Sequence, residues 1–353
     1  MIDILKDILP YISGLYTLPW ILIGFIVTII IAQFTGREKI DKIMKKIGLI
    51  ILYFFVPLLL FRIFLNTPFG SSEIEFAAIV CGIIALMYLT AFLYARYQAK
   101  KQKLSKKKRN LYIKTVLTNQ GRSSAFIGGA MLAINAWAVP AAIFMAPVGI
   151  ALFAIIPYLL SHLHKKEAKK ENTEIEALPW FLKIYPWYLI TFVIAAIIIN
   201  QTTNITTASF GNIGTILKFY TAITIPAALY YVGAGIHPTD LKKSEMKKLL
   251  GLDKEKEDSD HWKWVRNIFV LTVFITPILI AAIFTPLLLL NLIPKAWYPV
   301  IIINAILPVT STNMFLLPYG IDKKTTAHII TWTTLVCVPI VVALIAVFGI
   351  YFT

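Results

Sequence analysis

The sequence predicts an all-α polytopic membrane protein with ten transmembrane helices, arranged as two inverted five-helix repeats in which helices 4 and 9 are broken and cross. Three observations support this prediction: an apolar composition, basic residues on one side of the apolar spans, and two spans that polar residues interrupt at their middles. Of the 353 residues, 58% are hydrophobic and 15% are charged, and the mean hydropathy is +0.75. Such a chain has too little polar surface for a soluble globule.

Apolar stretches long enough to cross a bilayer recur along the whole chain. About 20 helical residues, at about 1.5 Å each, span a hydrocarbon core of about 30 Å. Ten stretches meet this criterion: 18–34, 47–65, 76–97, 112–133, 138–161, 179–200, 213–234, 265–291, 298–317 and 326–352. The acidic residues Asp3 and Asp7 argue against a cleaved signal peptide.

Basic residues lie on one side of these spans. Five loops hold 25 Lys and Arg residues, whereas the other loops and tails hold only Lys6 and Lys295. The five loops are 35–46, 98–111, 162–178, 235–264 and 318–325. Because cytoplasmic loops carry such an excess, we expect an integral, multi-pass plasma-membrane protein with both termini extracellular. The net charge of +16 then reflects topology and contacts with the lipid bilayer, not nucleic-acid binding.

The two halves of the chain contain matching features. Pro19 corresponds to Pro186 at an offset of 167 residues, and Pro147 corresponds to Pro339 at an offset of 192. The offset grows because the loop after span 7 is longer than the loop after span 2. Each unit has an odd number of spans, so the second unit enters the membrane inverted. The expected units are a first repeat, 1–161, a cytoplasmic linker, 162–178, and a second, inverted repeat, 179–353.

Two spans contain polar, helix-breaking sequences: NQGRSSAFIGG at 119–129 and NAILPVTSTN at 304–313. The repeat offset carries one segment onto the other. Since lipid offers no hydrogen-bond partners, broken helices survive only where protein or a watery cavity satisfies them. Paired breaks in matching halves are typical of the binding site of a transporter.

The two breaks supply the candidate substrate-binding residues. They are Asn119, Gln120, Gly121, Arg122, Ser123, Pro308, Thr310, Ser311, Thr312 and Asn313, with Ser124 as a further hydroxyl. Helix N-termini and amide groups at the breaks favour an anion, whereas freed carbonyls favour a cation such as sodium. The alternative is that these groups only satisfy one another across the crossing.

Arg122 lies near the centre of span 4, where a lone guanidinium costs about 2.5 to 3.5 kcal/mol. No Asp or Glu lies inside a span to neutralise it. Its planar fork of donors suits a carboxylate or phosphate, so a negatively charged substrate is one candidate partner. Alternatively, Arg122 caps carbonyls that the break releases, or its side chain extends to the interface.

Known enzymatic motifs are absent from the sequence. There is no GxxxxGK[ST] loop, no HExxH, no metal-ligand cluster and no pair of membrane carboxylates. We therefore expect neither an enzyme nor a cofactor or metal site. His328, in the first turn of span 10, is either an interfacial histidine or part of a proton relay.

Three segments carry a family resemblance: 36–64, 225–243 and, most specifically, NAILPVTSTNMFLLPYGIDKKTTAHIITWTTLVCVPIV at 304–341. They resemble the auxin efflux carrier (PIN-like) family, which is related in fold to bile acid sodium symporters. The resemblance implies ten helices in two inverted repeats, with a substrate site where the broken helices 4 and 9 cross. It also implies a transport domain, helices 3–5 and 8–10, that moves against scaffold helices 1, 2, 6 and 7.

By this resemblance, Asn119 and Gly121 match the Asn and Gly of the helix 4 break, and Pro308 and Asn313 match the helix 9 break. The chain departs from the family pattern in two ways. It lacks the proline that usually follows the glycines of helix 4, and it lacks the acidic residue that plant members keep beside the pathway. The second difference weakens a proton-coupled scheme.

Together these features predict a secondary active transporter of a small organic anion, such as a carboxylate, by elevator-like alternating access. Sodium or a proton is the candidate coupling ion, and a homodimer is expected by analogy. Two alternatives stay open. One is a sodium-coupled symporter of the bile acid type, and the other is a membrane ligand sensor with a carrier fold that signals through the loop 235–264.

Overall fold

A computed structural model describes residues 2–9, 19–67, 69–123, 131–132, 134–171, 180–252 and 259–352. In this part of the chain the regular elements are helices, and Arg122 and Val309 form one isolated antiparallel β-bridge. The protein is therefore all-α, as the sequence predicts.

Sixteen α-helices lie within the described residues. In chain order they are α1 (Ile2–Ile8), α2 (Trp20–Thr35), α3 (Arg37–Ile50), α4 (Val56–Leu65), α5 (Ser71–Lys101), α6 (Lys106–Thr118), α7 (Asn135–Ile150), α8 (Ile156–Glu171), α9 (Trp180–Thr203), α10 (Asn212–Ala222), α11 (Thr224–Ala234), α12 (Lys243–Leu250), α13 (Ser259–Val270), α14 (Thr276–Leu289), α15 (Trp297–Ile306) and α16 (Lys323–Tyr351). Short 3₁₀ helices occupy Thr207–Phe210, Pro238–Leu241 and Ser311–Tyr319.

Three π-helical turns join helices end to end. They are Ile51–Phe55 between α3 and α4, Ala151–Ile155 between α7 and α8, and Leu271–Ile275 between α13 and α14. Pro57, Pro157 and Pro277 each stand two residues after one of these turns. Proline has no N–H, and its ring crowds the carbonyl four residues earlier. The wider π turn relieves this crowding, so the helices continue through these prolines.

Among the described residues, five helices are long and apolar enough to cross a membrane, judged by length and composition. They are Arg37–Leu65, Ser71–Lys101, Asn212–Ala234, His261–Leu289 and Lys323–Tyr351. Shorter apolar helices also expose large side chains, as in α2, where Leu22 is 63% and Phe34 is 84% exposed. Apolar side chains that face outward in this way are suited to lipid and not to water. The protein is therefore embedded in a membrane.

The predicted loop 35–46 is mostly helical. The sequence predicts a span at 47–65, but α3 begins at Arg37 and continues into α4. Gly36, with φ of 78°, reverses the chain within one residue, and this backbone conformation favours glycine. The predicted linker 162–178 likewise begins as a helix, since α8 extends to Glu171. Residues 172–178 of that linker lie outside the described residues.

Helices from the two halves pack reciprocally. The most extensive helix–helix contacts among the described residues are those of α2 with α11 and of α9 with α4. Gly24 and Gly233 allow the first contact, because a Cβ on either would collide with a main-chain carbonyl of the opposite helix. A second group of helices comprises α5 to α8 and α13 to α16. The two interrupted segments lie within this second group.

Candidate functional site

The described parts of the two interrupted segments pair through their main chains. Ser123 N donates to Pro308 O at 2.9 Å, and Thr310 N donates to Gly121 O at 3.0 Å. These bonds flank the β-bridge, as in a short antiparallel pair. They satisfy four main-chain groups that the broken helices release. The two breaks found in the sequence thus meet at one place, which we call the crossing (residues 119–123 and 307–313).

The first break begins after Thr118, where α6 ends. Its remaining part, including Ser124, lies outside the described residues. The second break is shorter than the sequence suggests, since α15 continues to Ile306 and the 3₁₀ helix begins at Ser311. Asn304 is therefore helical, and its Nδ2 donates to Val300 O at 2.7 Å.

Side chains satisfy other main-chain groups of the second break. Thr333 on α16 accepts a hydrogen bond from Val309 N at 3.1 Å. Thr310 caps the 3₁₀ helix by accepting from Thr312 N at 3.3 Å, and the two hydroxyls lie 2.9 Å apart. The side chain of Ser311 lies outside the described residues. The hydroxyls of Thr310 and Thr312 therefore have a structural role at this break.

Gly121 and Asn313 are in contact across the crossing. A Cβ on Gly121 would lie 2.8 Å from Asn313 Oδ1 and would collide with the side chain of Leu152. Hydrogen is thus the only side chain that fits at this position without a shift of its neighbours. The absence of a side chain at Gly121 leaves room for the Asn313 amide and for the end of the Leu152 side chain.

Three amide side chains are buried at the crossing. Asn119 is 0% exposed, and Gln120 and Asn313 are each 1% exposed. Asn119 Nδ2 donates to Thr115 O at 2.8 Å and to Thr326 Oγ1 at 3.2 Å. Asn119 Oδ1 and both amide atoms of Gln120 and Asn313 have no hydrogen-bond partner within the described ranges. Each unpaired buried group costs about 1 to 3 kcal/mol, so such a cluster calls for a ligand or water.

Arg122 is 3% exposed and donates to two main-chain carbonyls, Leu307 O at 3.5 Å and Thr272 O at 3.3 Å. Leu307 belongs to the second break. In a π turn each carbonyl accepts a hydrogen bond from the N–H five residues later. For Thr272 that residue is Pro277, which has no N–H, so the Thr272 carbonyl is available to Arg122. These contacts fit the interpretation that Arg122 caps released carbonyls.

The guanidinium of Arg122 is not neutralised by a carboxylate in the described part of the chain, where none of the ion pairs includes it. Its Nε also has no partner there. Three carbonyls of the crossing, those of Gly121, Leu307 and Pro308, already accept hydrogen bonds. The unpaired atoms of the amide cluster are two donors, Gln120 Nε2 and Asn313 Nδ2, and three acceptors, Asn119 Oδ1, Gln120 Oε1 and Asn313 Oδ1. The buried positive charge of Arg122 opposes a second cation, so an anionic ligand that accepts from the two donors is favoured over a sodium ion.

No protein-family model matches this chain, and no curated protein matches it. Within the residues that the structure describes, no group of three or more His, Cys, Asp or Glu is placed to hold a metal ion.

A second polar cluster, which sequence reasoning missed, surrounds His328 on a different face of α16. The imidazole Nε2 lies 3.8 Å from Asp240 Oδ1 and 3.8 Å from Glu245 Oε2. Both acids come from the loop 235–264, which folds back onto α16. The sequence places His328 near the cytoplasmic interface but gives no signal that this loop supplies carboxylates to it.

Proposed function

We propose that this protein is a secondary active transporter of a small organic anion, with a carboxylate as the favoured substrate, and that it belongs with the auxin efflux carriers. One observation carries the proposal. Amide groups without partners are buried beside an un-neutralised guanidinium where two broken helices cross. A carboxylate would accept hydrogen bonds from the unpaired amide nitrogens of Gln120 and Asn313 and would carry the charge opposite to that of the guanidinium.

The proposed topology has ten spans in two inverted repeats. The fourth span begins with α6, and the ninth span consists of α15 and the 3₁₀ helix Ser311–Tyr319. In this arrangement α2, α3–α4, α9 and α10–α11 are the scaffold, and the remaining spans are the transport domain. Reciprocal packing supports the repeat, because exchange of the halves converts the α2–α11 contact into the α9–α4 contact. Elevator-like movement of the transport domain would then expose the crossing to each side in turn.

Within this proposal the crossing residues divide into two roles. Gln120 and Asn313 donate to the substrate carboxylate, whereas Asn119, whose Nδ2 already donates to Thr115 O and Thr326 Oγ1, holds the first break. Arg122 supplies positive potential while its terminal nitrogens hold the crossing together. Carboxylate binding does not require the Arg122 bonds to Leu307 and Thr272 to break. Nε, the guanidinium nitrogen that has no partner in the described part of the chain, is available for a ligand or an ordered water.

Replacing Asn313 with Leu is expected to lower uptake of the transported carboxylate by roughly 10- to 100-fold. A hydrogen bond to a charged group is worth about 1.5 to 3 kcal/mol, and Leu removes the amide at similar volume. The measurement is uptake of a panel of labelled carboxylates by proteoliposomes. Gln201→Leu, which removes an exposed amide in the last turn of α9, is the matched control and should stay within twofold of wild type, because water can replace the bond from its Nε2 to Phe69 O.

The same proteoliposomes separate the proposal from its alternatives. Uptake that requires an inward sodium gradient would favour the bile acid type of symporter. Saturable binding without flux would favour the ligand sensor. Equal uptake by wild type and Asn313→Leu would show that the amide cluster is not part of the substrate site.

A further inference from the structure

We propose that His328, Asp240 and Glu245 form a proton-operated clasp that holds the loop after α11 onto α16 and slows transport when the cytoplasm becomes acidic. The effect on transport depends on the proposed function, but the clasp itself does not. Its three members are defined by the contacts of the His328 ring.

The clasp connects the two proposed groups of helices. Asp240 lies on the 3₁₀ helix Pro238–Leu241 and Glu245 lies on α12, and both follow α11 of the scaffold. His328 lies on α16 of the transport domain, with 11% of its side chain exposed, against 16% for Asp240 and 21% for Glu245. A neighbouring contact strengthens the connection, because Thr331 Oγ1 donates to Asp240 Oδ2 at 3.2 Å.

The tautomer of His328 is set by its own helix. Its Nδ1 lies 2.9 Å from Lys324 O, and a carbonyl oxygen can only accept, so Nδ1 carries a hydrogen. In the neutral ring Nε2 therefore turns a lone pair toward two carboxylates, which is repulsive. Protonation places a hydrogen and a positive charge on Nε2, and the same contacts become attractive. The clasp is thus weak when His328 is neutral and strong when it is protonated.

Other titratable and charged groups face this region from every element packed against it. They are Arg37 and Asp41 on α3, His237 before the 3₁₀ helix, Lys248 on α12, His261 on α13, and Asp322 and Lys324 at the start of α16. Lys248 pairs with Glu245 Oε1 at 3.2 Å, which leaves the other carboxylate oxygen facing His328. Burial, assisted by Arg37, lowers the pKa of His237, which disfavours its protonated form.

The clasp predicts a pH dependence with a defined sign. Histidine changes charge between about pH 5 and 8, so the clasp tightens as pH falls through that range and loosens as pH rises. Because it joins parts that must separate during an elevator movement, tightening it should slow turnover. A partly exposed ion pair is worth up to about 1 kcal/mol, which corresponds to a slowing of about fivefold.

The first test measures proteoliposome uptake with the cytoplasmic face at pH 7.5 and at pH 5.5, using a carboxylate that stays ionised throughout. Wild type should slow by about threefold to fivefold. His328→Gln and Asp240→Asn should each remove this dependence, whereas His237→Gln should keep it. A wild type without pH dependence, or a His328→Gln variant that retains it, would overturn the clasp.

A second test does not require transport. Hydrogen–deuterium exchange of residues 238–250, corrected for the intrinsic effect of pH, should show greater protection at pH 5.5 in wild type but not in His328→Gln. Protection that depends on His328 in a protein that moves no carboxylate would support the clasp and refute the transport proposal. If the protein takes up carboxylate but His328→Gln does not change the protection of residues 238–250 from exchange, the clasp is refuted and the transport proposal is not.

Discussion

Arg122→Leu is expected to destabilise the folded protein by up to about 3 kcal/mol. The substitution removes two hydrogen bonds from a charged donor, to the carbonyls of Leu307 and Thr272, and each is worth about 1.5 to 3 kcal/mol, a range that already includes the cost of the unsatisfied carbonyl. Removal of the buried charge offsets about 2.5 to 3.5 kcal/mol of this loss. The loss exceeds the gain over most of these ranges. Thermal unfolding in detergent should therefore shift clearly downward.

The control for this experiment is Arg62→Leu. Arg62 lies near the end of α4, and its Nη1 donates to Lys218 O at 3.1 Å from a more exposed position. Its loss should shift unfolding much less, because water can replace the donor. If Arg122→Leu unfolds like wild type but transports nothing, the guanidinium acts on the substrate alone, and the capping interpretation is wrong.

Gly121→Ala is expected to lower carboxylate uptake by about tenfold or more while the helices persist. The added methyl group would meet Asn313 Oδ1 and the Leu152 side chain, and overpacking of this kind costs about 1 to 3 kcal/mol. Either the two segments separate or Asn313 turns away, and both outcomes disturb the site. Uptake and thermal unfolding are measured on the same preparation.

Gly82→Ala is the matched control for Gly121→Ala. Gly82 lies inside α5, and a Cβ there would meet nothing within 4 Å. Alanine at this position should leave uptake unchanged and favour the helix by up to about 1 kcal/mol. Similar behaviour of the two variants would show that close approach at Gly121 is unimportant.

The sequence was sufficient to locate the crossing because its determinants are local. Gly121 and Pro308 interrupt apolar helices, and two interrupted segments in lipid must find partners in protein. The exact extent of the second break was not predictable, since Asn304 bonds back to Val300 O and remains helical. Side chains of Asn are compatible with either outcome, so only the surrounding structure decides.

Long-range contacts were beyond sequence reasoning. The capping of Thr272 by Arg122 depends on a π turn before Pro277, in a helix 150 residues away. His328 lies close to Asp240 because the loop 235–264 folds back onto α16. No periodic pattern in the sequence predicts this contact. The predicted second half of helix 4, including Ser124, lies outside the described residues and stays a prediction.

The most direct test of the central claim is the reactivity of a single cysteine at the crossing. Gln120→Cys, in a background with Cys81→Ala and Cys337→Ala, places a thiol where the side chain is 1% exposed. Alternating access predicts slow modification by a membrane-impermeant thiol reagent from each side of the membrane, and protection by the transported carboxylate. No modification from either side in a folded protein, or modification that the carboxylate does not slow, would contradict the claim that this crossing is a substrate site.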